Sequence, residues 1–380
     1  MINKSELALM DLSRAALLSE PVRQSAAAFD WDALIDLAER NDVLPLIARS
    51  TLSSIADIDA SVRERLTRAL NEARYLEAVQ HFLIKELLAM FEGASVKYCM
   101  LKGWGIKEFY PAPMLRDTCD VDILIEPDSW DAAVLQAEKA GFAAIHDIDL
   151  HLVMLKNDVV LELHRSPLSS RGKYFPYFSD VWSRMLRLGE TCEYKMTALD
   201  EQMLFYLHMD KHIMCYSFKL RFLCDIAALR RAGKWRVYAD GFDRNSRKAG
   251  IYYMQKHLCE ISDAWISGNK YTARQEEILG FLADNVFESE SLTLYRKAMQ
   301  SLKGLLSPHG FFSSMNPPRE LLKTFSDYSG MSEREKLRTY RHSVLLKIKG
   351  AYQDYASCRK SVTREEKKRN RKGIKLLYGK

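Results

Sequence analysis

The sequence KYCMLKGWGIKEFYPAPMLRDTCDVDILIE, residues 97–126, carries the clearest structural pattern in the chain. An apolar run ends at Lys102-Gly103, a loop rich in aromatic residues and proline follows, and a second apolar run begins at Asp120. Alternate side chains of a strand share one face, so Asp120 and Asp122 would project side by side. Two adjacent carboxylates repel each other unless a cation or a proton lies between them. The pattern therefore predicts a site for a hard divalent cation, Mg²⁺ or Mn²⁺.

Short β-type runs around this stretch predict a small mixed sheet. The runs are 96–101, 119–127, 142–147, 151–157 and 159–165, with a helical pattern over 128–142 after the second. Asn157-Asp158 separates the last two runs, and a pair of this type favours a two-residue hairpin turn. The order strand, loop, strand, helix, strand, hairpin is typical of an α+β unit, which we predict over residues 96–190.

Helical patterns flank this unit on both sides. Apolar side chains recur at three- and four-residue steps over 61–93, which predicts a long amphipathic helix. A Thr-x-x-Asp capping box at 197–200 opens another helix, and a further one follows over 218–233. We therefore predict four regions. They are an N-terminal helical region at 1–95, the α+β core at 96–190, a helical domain at 191–302, and a linker, helix and basic tail at 303–380.

The composition is that of an ordinary globular chain. Of 380 residues, 47% are hydrophobic and 28% are charged, which suits two or three domains. The seven cysteines are scattered without a C-x-x-C pair, so neither a disulfide framework nor a zinc site is indicated. The N-terminus lacks the apolar run of a signal peptide, and no 18-residue apolar run occurs. These observations predict a cytoplasmic protein without a transmembrane segment.

The net charge of +6 is concentrated at the C-terminus. Residues 363–380 carry eight Lys or Arg and two Glu, which accounts for the whole net charge. Such a run is typically a disordered, solvated extension, and contact with nucleic acid or an anionic membrane surface is the less favoured alternative. The neutral remainder argues against a basic groove for nucleic acid.

A metal site built on Asp120 and Asp122 needs a third oxygen ligand, and Glu162 offers one. It stands inside the apolar run VVLELHR, where a carboxylate is costly unless it has a partner. A structural ion pair with Arg165 or Arg116 is the alternative interpretation. Three carboxylates on neighbouring strands would hold divalent cations against the phosphates of a nucleotide, which is an arrangement that phosphoryl transfer uses.

Four residues near these carboxylates are candidates for binding a nucleotide. Lys102 could contact a phosphate, although a lysine at a strand end is more often a surface residue. Gly103 would let the backbone approach a phosphate without a Cβ in the way. Arg116 could steady its loop or bind a triphosphate through its planar fork. His164 lies two residues after Glu162 on the same face and could contact substrate or pack in the core.

Two features of the later helices have open roles. His208 and His212 lie four residues apart on one helix face, but they lack an H-E-x-x-H pattern. A role in the core or as pocket-lining residues is favoured over zinc binding. Asp225 lies in the apolar pattern FLCDIAAL and needs a partner, which is either Arg221 one turn earlier or a group in the site.

The segments LKGWG, LRDTCDVDILIEP and VVLELHRSP resemble the polymerase-β-type nucleotidyltransferase superfamily, and within it the bacterial group of uncharacterised nucleotidyltransferases. The resemblance covers about residues 96–230. It implies a nucleotidyltransferase fold in which Asp120 and Asp122 bind both metal ions and Glu162 holds the catalytic one. The other matching positions are Tyr110-Pro111, Arg116, His164, His212 and Asp225.

The resemblance also implies an activity. An NMP group would pass from an NTP, such as ATP, to an acceptor hydroxyl or phosphate with release of pyrophosphate, and the fold does not identify the acceptor. The chain departs from the superfamily pattern in two ways. Trp104 follows Gly103 where Gly or Ser is usual, and Asp120 comes 17 positions after Gly103, where a closer spacing is normal. A catalytically inactive nucleotide-binding or interaction module of the same fold is therefore the alternative hypothesis.

Overall fold

The computed structural model describes residues 4–22, 24–101, 103–118, 120–147, 150–168, 174–215, 218–235, 238–286 and 364–379. Over these residues the chain is an α+β protein built on one mixed sheet, so the predicted fold class is confirmed. The strands are β1 Tyr98–Met100, β2 Asp120–Ile125, β3 Ala143–Asp147, β4 His151–Lys156, β5 Val159–His164, β6 Leu186–Arg187 and β7 Glu193–Lys195.

Helices make up most of the remaining described chain. They are α1 Lys4–Leu18, α2 Trp31–Arg40, α3 Leu44–Ser54, α4 Ala60–Gly93, α5 Gly103–Ile106, α6 Trp130–Lys139, α7 Phe175–Phe178, α8 Ala198–Cys215, α9 Leu220–Arg231, α10 Phe242–Ala249, α11 Tyr252–Ser267, α12 Ala273–Val286 and α13 Arg364–Leu377. None of the helices in these ranges is long and apolar enough to cross a membrane. The predicted linker at 303–319 and the predicted helix near 331–349 lie outside the described residues.

The strand order across the sheet is β3-β4-β5-β2-β1-β7-β6. The pairs β2·β5 and β1·β7 are parallel, and the other pairs are antiparallel. Asn157 and Asp158 have φ angles of 46° and 62°, so the predicted hairpin between β4 and β5 turns with two left-handed residues. The strands β6 and β7 were not predicted, because two or three residues are too few to show an alternating pattern.

The two faces of β2 have different environments. Val121, Ile123 and Ile125 belong to a core that α4 and α6 close from one side of the sheet. Leu124 belongs instead to the core shared with the helices on the other side. The period of two along the strand therefore places Asp120 and Asp122 on the face toward those helices.

The N-terminal and later helices share one core. Helices α1 to α3 contribute buried residues to the same apolar cluster as α8, α9, α11 and α12, and α1 contacts both α9 and α11. Pro45 lies in the first turn of α3, so the interruption that it makes in the sequence pattern separates two helices. The division of the chain into four regions stays a prediction.

The prediction that the basic tail is disordered is wrong for residues 364–379. The helix α13 packs against α11 and α12, and its end buries Leu377 and Tyr378. The hydroxyl of Tyr378 donates a hydrogen bond to Oδ1 of Asp210 at 2.6 Å. Gly373 lies so close to Phe281 that a Cβ at this position would clash with the ring. Although most residues of α13 are charged, one side of the helix is apolar, and this side packs against α11 and α12.

Docking of α13 should weaken in acid because of His257. Nδ1 of His257 donates to the carbonyl oxygen of Leu377 at 2.9 Å, and burial lowers the pKa of His257 below its ordinary value of 6.5. Between the lowered pKa and pH 6.5, the exposed imidazole of the unfolded protein binds protons more readily than the buried imidazole of the folded protein. The stability that His257 contributes is therefore full above pH 6.5 and is lost as pH falls toward the lowered pKa. We expect the melting temperature to fall more in the wild type than in His257→Gln between about pH 7.5 and about pH 5.5.

Thermal melts of both proteins at the two pH values measure this difference. The exposed His146 on β3 provides a control, since His146→Gln should keep the pH dependence of the wild type. A difference between wild type and His257→Gln that is the same at both pH values would contradict the assignment to His257.

Candidate functional site

The register of the sheet brings the three predicted carboxylates together. Asp122 of β2 lies opposite Glu162 of β5, and Asp120 is two residues earlier on the same face. One oxygen from each of the three side chains lies within 4.8 Å of the other two. Asp122 is 8% exposed, Asp120 is exposed, and Glu162 is half-buried. This set of oxygens could hold a divalent cation.

His164 is part of the same cluster. Its Nε2 atom lies 2.6 Å from Oδ1 of Asp122 and 3.2 Å from Oε2 of Glu162, and the residue is 1% exposed. Sequence reasoning missed His151, whose Nδ1 lies 3.4 Å from Oε2 of Glu162. His151 pairs with His164 across β4 and β5, so it shares the face of the cluster. Its position follows from the alternation with buried Leu152 once the register of β4 is known.

The predicted alternative partners of Glu162 bind elsewhere. Arg165 pairs with Asp147 at 2.7 Å, and Arg116 pairs with Asp225 at 2.8 Å. Glu162 instead contacts His151 and His164. A structural ion pair of Glu162 with either arginine is therefore not the arrangement found.

Arg116 connects the loop before β2 to helix α9. Its Nε donates to Oδ1 of Asp225 at 2.8 Å and its Nη2 donates to Oδ2 at 2.9 Å. The hydroxyl of Tyr110 also donates to Oδ1 of Asp225, at 2.7 Å, and all three residues are buried. Of the two alternatives for Asp225, Arg221 is not the partner found, because Arg221 binds Asp42 at 3.2 Å. Most of the arginine fork is thus used inside the protein, which favours the loop-steadying role of Arg116.

Gly103 lies directly beside Arg116, and its contact with a phosphate stays a prediction. Gly103 begins α5, and a Cβ built on it would lie 2.6 Å from Nη1 of Arg116. Glycine here makes room for the arginine. Lys102, the other candidate of this turn, lies outside the described residues.

Alanine substitutions in α5 should separate this contact from helix propensity. Gly103→Ala should destabilise the protein by about 1–3 kcal/mol, because the bidentate bond to Asp225 prevents Arg116 from moving away. Gly105→Ala is the matched control, since nothing lies within 4 Å of its added Cβ, and it should be neutral or stabilising by up to about 1 kcal/mol. Urea denaturation measures both. Equal effects would show that Arg116 does not require the glycine.

The carboxylate cluster lines a cleft of about 310 Å³. The α8–α9 side of this cleft contributes basic and imidazole side chains, which are His208, Lys211, His212, Lys219 and Arg221. The favoured pocket-lining role of His208 and His212 is therefore confirmed. Asp42 binds both Lys219 at 2.6 Å and Arg221 at 3.2 Å, so two cations share one carboxylate. The cleft thus combines an acidic group that could bind metal with basic groups that could face phosphates.

A mixed sheet in which the Asp-x-Asp strand pairs with the strand of Glu162, with helices lining the same cleft, is the arrangement that the resemblance to nucleotidyltransferases implies. The family model described as "Uncharacterised nucleotidyltransferase" matches residues 27–262, which is 236 of the 380 residues, and the chain belongs to this family. The match extends the resemblance seen at 96–230 into both flanking helical regions. No curated protein and no solved structure matches the chain.

Proposed function

We propose that this protein is a divalent-metal-dependent nucleotidyltransferase that moves an NMP group from an NTP to an acceptor hydroxyl or phosphate. The observation that carries the proposal is the convergence of Asp120, Asp122 and Glu162 on one face of the sheet. Carboxylate oxygens are the ligands that Mg²⁺ and Mn²⁺ prefer. Asp120 and Asp122 would hold two ions, and Glu162 would complete the catalytic one. The bound ions would neutralise charge on the phosphates and favour attack at the α-phosphorus.

The proposed transfer exchanges one bond to the α-phosphorus for another. The acceptor oxygen forms a bond to the α-phosphorus while the bond from that phosphorus to the β-bridging oxygen breaks, and pyrophosphate leaves. A hydroxyl acceptor gives its proton to the carboxylate of Glu162. His164 lies against both Asp122 and Glu162, so it limits how far these two carboxylates can move.

The basic side of the cleft would bind the triphosphate. Lys219 and Arg221 share Asp42, and both cations line the cleft that holds the carboxylates. Arg221 also donates from Nη1 to the carbonyl oxygen of Asp117 at 3.3 Å, so it would act on a phosphate as a positive charge, as Lys219 would, and not as a bidentate fork. Arg116 would act indirectly, by holding the loop that leads into Asp120 against α9.

The acceptor would enter through a second cleft of about 890 Å³. This cleft shares four lining residues with the carboxylate cleft, namely Leu101, Trp104, Ile106 and Phe205. Its other walls come from β7, the start of α8 and the segment after α9. This arrangement supports an acceptor held between the sheet and the later helices. A cytoplasmic location fits the free thiols of Cys99, Cys192, Cys224 and Cys259.

Calorimetry of ATP binding in Mg²⁺ tests the proposal directly. Wild-type protein should bind ATP, and Asp120→Asn/Asp122→Asn should lose most of the Mg²⁺-dependent part of the affinity. Equal binding by both proteins would remove the metal role of the aspartates. If the wild type shows the expected Mg²⁺-dependent binding, a screen for pyrophosphate release across sugars, nucleosides, peptides and RNA ends would identify the acceptor class.

An inactive nucleotide-binding module is the second candidate. The feature that favours it is Trp104 after Gly103, where the superfamily pattern has Gly or Ser, together with the close packing of Arg116 against Gly103. Tight ATP binding without pyrophosphate release over the whole acceptor screen would support this candidate over the enzyme.

A further inference from the structure

A second group of metal-ligating side chains adjoins the three carboxylates. His151 of β4 lies opposite His164 of β5, and Glu162 is two residues before His164 on the same face. Nδ1 of His151 lies 3.4 Å from Oε2 of Glu162, and Nε2 of His164 lies 3.2 Å from the same oxygen. One donor atom from each of the three residues lies within 4.8 Å of the other two. Two nitrogen donors therefore converge on one carboxylate.

The spacing and burial of these donors suit one shared ion. Two ligands bound to Zn²⁺ at about 2.1 Å with tetrahedral angles lie about 3.4 Å apart, close to the separations of both nitrogens from Glu162. The two rings have centroids 4.8 Å apart and planes inclined by 58°, so they are not stacked face to face. The side chains of His151, His164 and Glu162 are 14%, 1% and 19% exposed, so the protein would replace most of the water around an ion.

We propose that His151, His164 and Glu162 form a binding site for a zinc-class divalent ion beside the carboxylate site. Two imidazoles and one carboxylate are a donor set that suits Zn²⁺, whereas Mg²⁺ prefers oxygen ligands and keeps its water. Glu162 belongs to both groups. An ion bound to the two histidines would therefore compete with the ion of the transfer site for the carboxylate of Glu162, or share that carboxylate with it. The inference rests on the proposed function only where it assigns a consequence to this shared residue.

The competing explanation is a hydrogen-bonded network without metal. Nε2 of His164 lies 2.6 Å from Oδ1 of Asp122, which is a short hydrogen bond between imidazole and carboxylate. His151 distinguishes the two explanations. It approaches Glu162 at 3.4 Å, which is long for a hydrogen bond to a carboxylate but suitable for two donors on one ion.

Titration of the metal-free full chain with Co²⁺, a spectroscopic substitute for Zn²⁺, tests the site without nucleotide. We expect Co²⁺ to bind with visible d–d absorption, to be displaced by Zn²⁺, and to resist a large excess of Mg²⁺. His151→Gln should weaken binding by more than the roughly 10–100-fold that loss of an outer-shell partner costs. The exposed His146 on β3 supplies the matched control, because His146→Gln should bind like the wild type.

A second variant gives a new signal instead of a loss. In His151→Cys the thiolate can replace the imidazole as a ligand, so the Co²⁺ form should gain a thiolate-to-cobalt charge-transfer band in the near ultraviolet. Folded His151→Cys without this band, equal Co²⁺ affinity in His151→Gln and wild type, or displacement by Mg²⁺ as readily as by Zn²⁺ would overturn the proposal. Asp120→Asn should keep the Co²⁺ spectrum while losing Mg²⁺-dependent ATP binding, so the failure of one proposal is distinguishable from the failure of the other.

Discussion

Replacing Asp120 with asparagine should abolish pyrophosphate release and the rise in melting temperature that Mg²⁺ gives the wild type. Loss of one metal ligand removes several kcal/mol of transition-state stabilisation, which corresponds to a fall in rate of at least ~10³-fold. Without metal, Asp120 is repelled by two carboxylates that each have an oxygen within 4.8 Å, and it is attracted by the guanidinium of Arg116. Each effect is worth on the order of 1 kcal/mol in a water-like dielectric and the two oppose each other, so the metal-free variant should melt close to the wild type.

Both effects depend on the bound ion, so this test is specific for a metal site. The measurements are a pyrophosphate assay with the acceptor found in the screen, and thermal melts in chelator and in Mg²⁺. Mg²⁺ should raise the melting temperature of the wild type and leave Asp120→Asn nearly unchanged. Asp131, exposed on α6 at the other face of the sheet, provides a matched carboxylate, and Asp131→Asn should behave as wild type in both assays. A variant that melts lower in chelator and still releases pyrophosphate would make Asp120 a structural residue.

The carboxylate cluster was predictable because its signals are local. Asp120 and Asp122 are two apart in an apolar run, and Glu162 stands in another apolar run where a charge needs a partner. That these two runs are neighbours with Asp122 opposite Glu162 is information that only the register supplies. His151 was missed for this reason, since its role depends on pairing with His164 across a hairpin rather than on its own sequence context.

The features that sequence reasoning missed depend on long separations or on few residues. Arg116 and Asp225 are 109 residues apart, and nothing near either residue indicates the other. Arg221 was the nearer partner by helix spacing, but the fold offers it Asp42, which lies in the N-terminal region. The docking of α13 depends on a small apolar side within a strongly basic segment, which composition alone describes as solvated.

The largest loss of stability is expected from Asp225→Asn. Asp225 is fully buried and accepts hydrogen bonds from Arg116 and Tyr110. Neutralising it leaves the guanidinium of Arg116 buried without its hydrogen-bonded counter-charge, a change that costs about 3–5 kcal/mol in comparable pairs. Arg116→Met should destabilise by a similar amount, since it leaves the carboxylate of Asp225 buried without its cation. Urea denaturation of each variant gives the free energy of unfolding.

The double variant Arg116→Met/Asp225→Asn decides whether this loss comes from the pair. In the double variant, the amide oxygen of Asn at 225 can still accept a hydrogen bond from the Tyr110 hydroxyl, and no unpaired charge remains. The double variant should therefore be more stable, by about 2–3 kcal/mol, than the sum of the two single effects predicts. Arg230 and Asp263 form a similar two-pronged bond at the surface, with Asp263 49% exposed, and Asp263→Asn should cost less than about 1 kcal/mol. Additive effects at 116 and 225 would show that the pair is not the source of the lost stability.

Because Arg116 holds the loop leading into β2 against α9, Asp225→Asn should also weaken Mg²⁺-dependent ATP binding at temperatures where the variant is still folded, whereas Asp263→Asn should not.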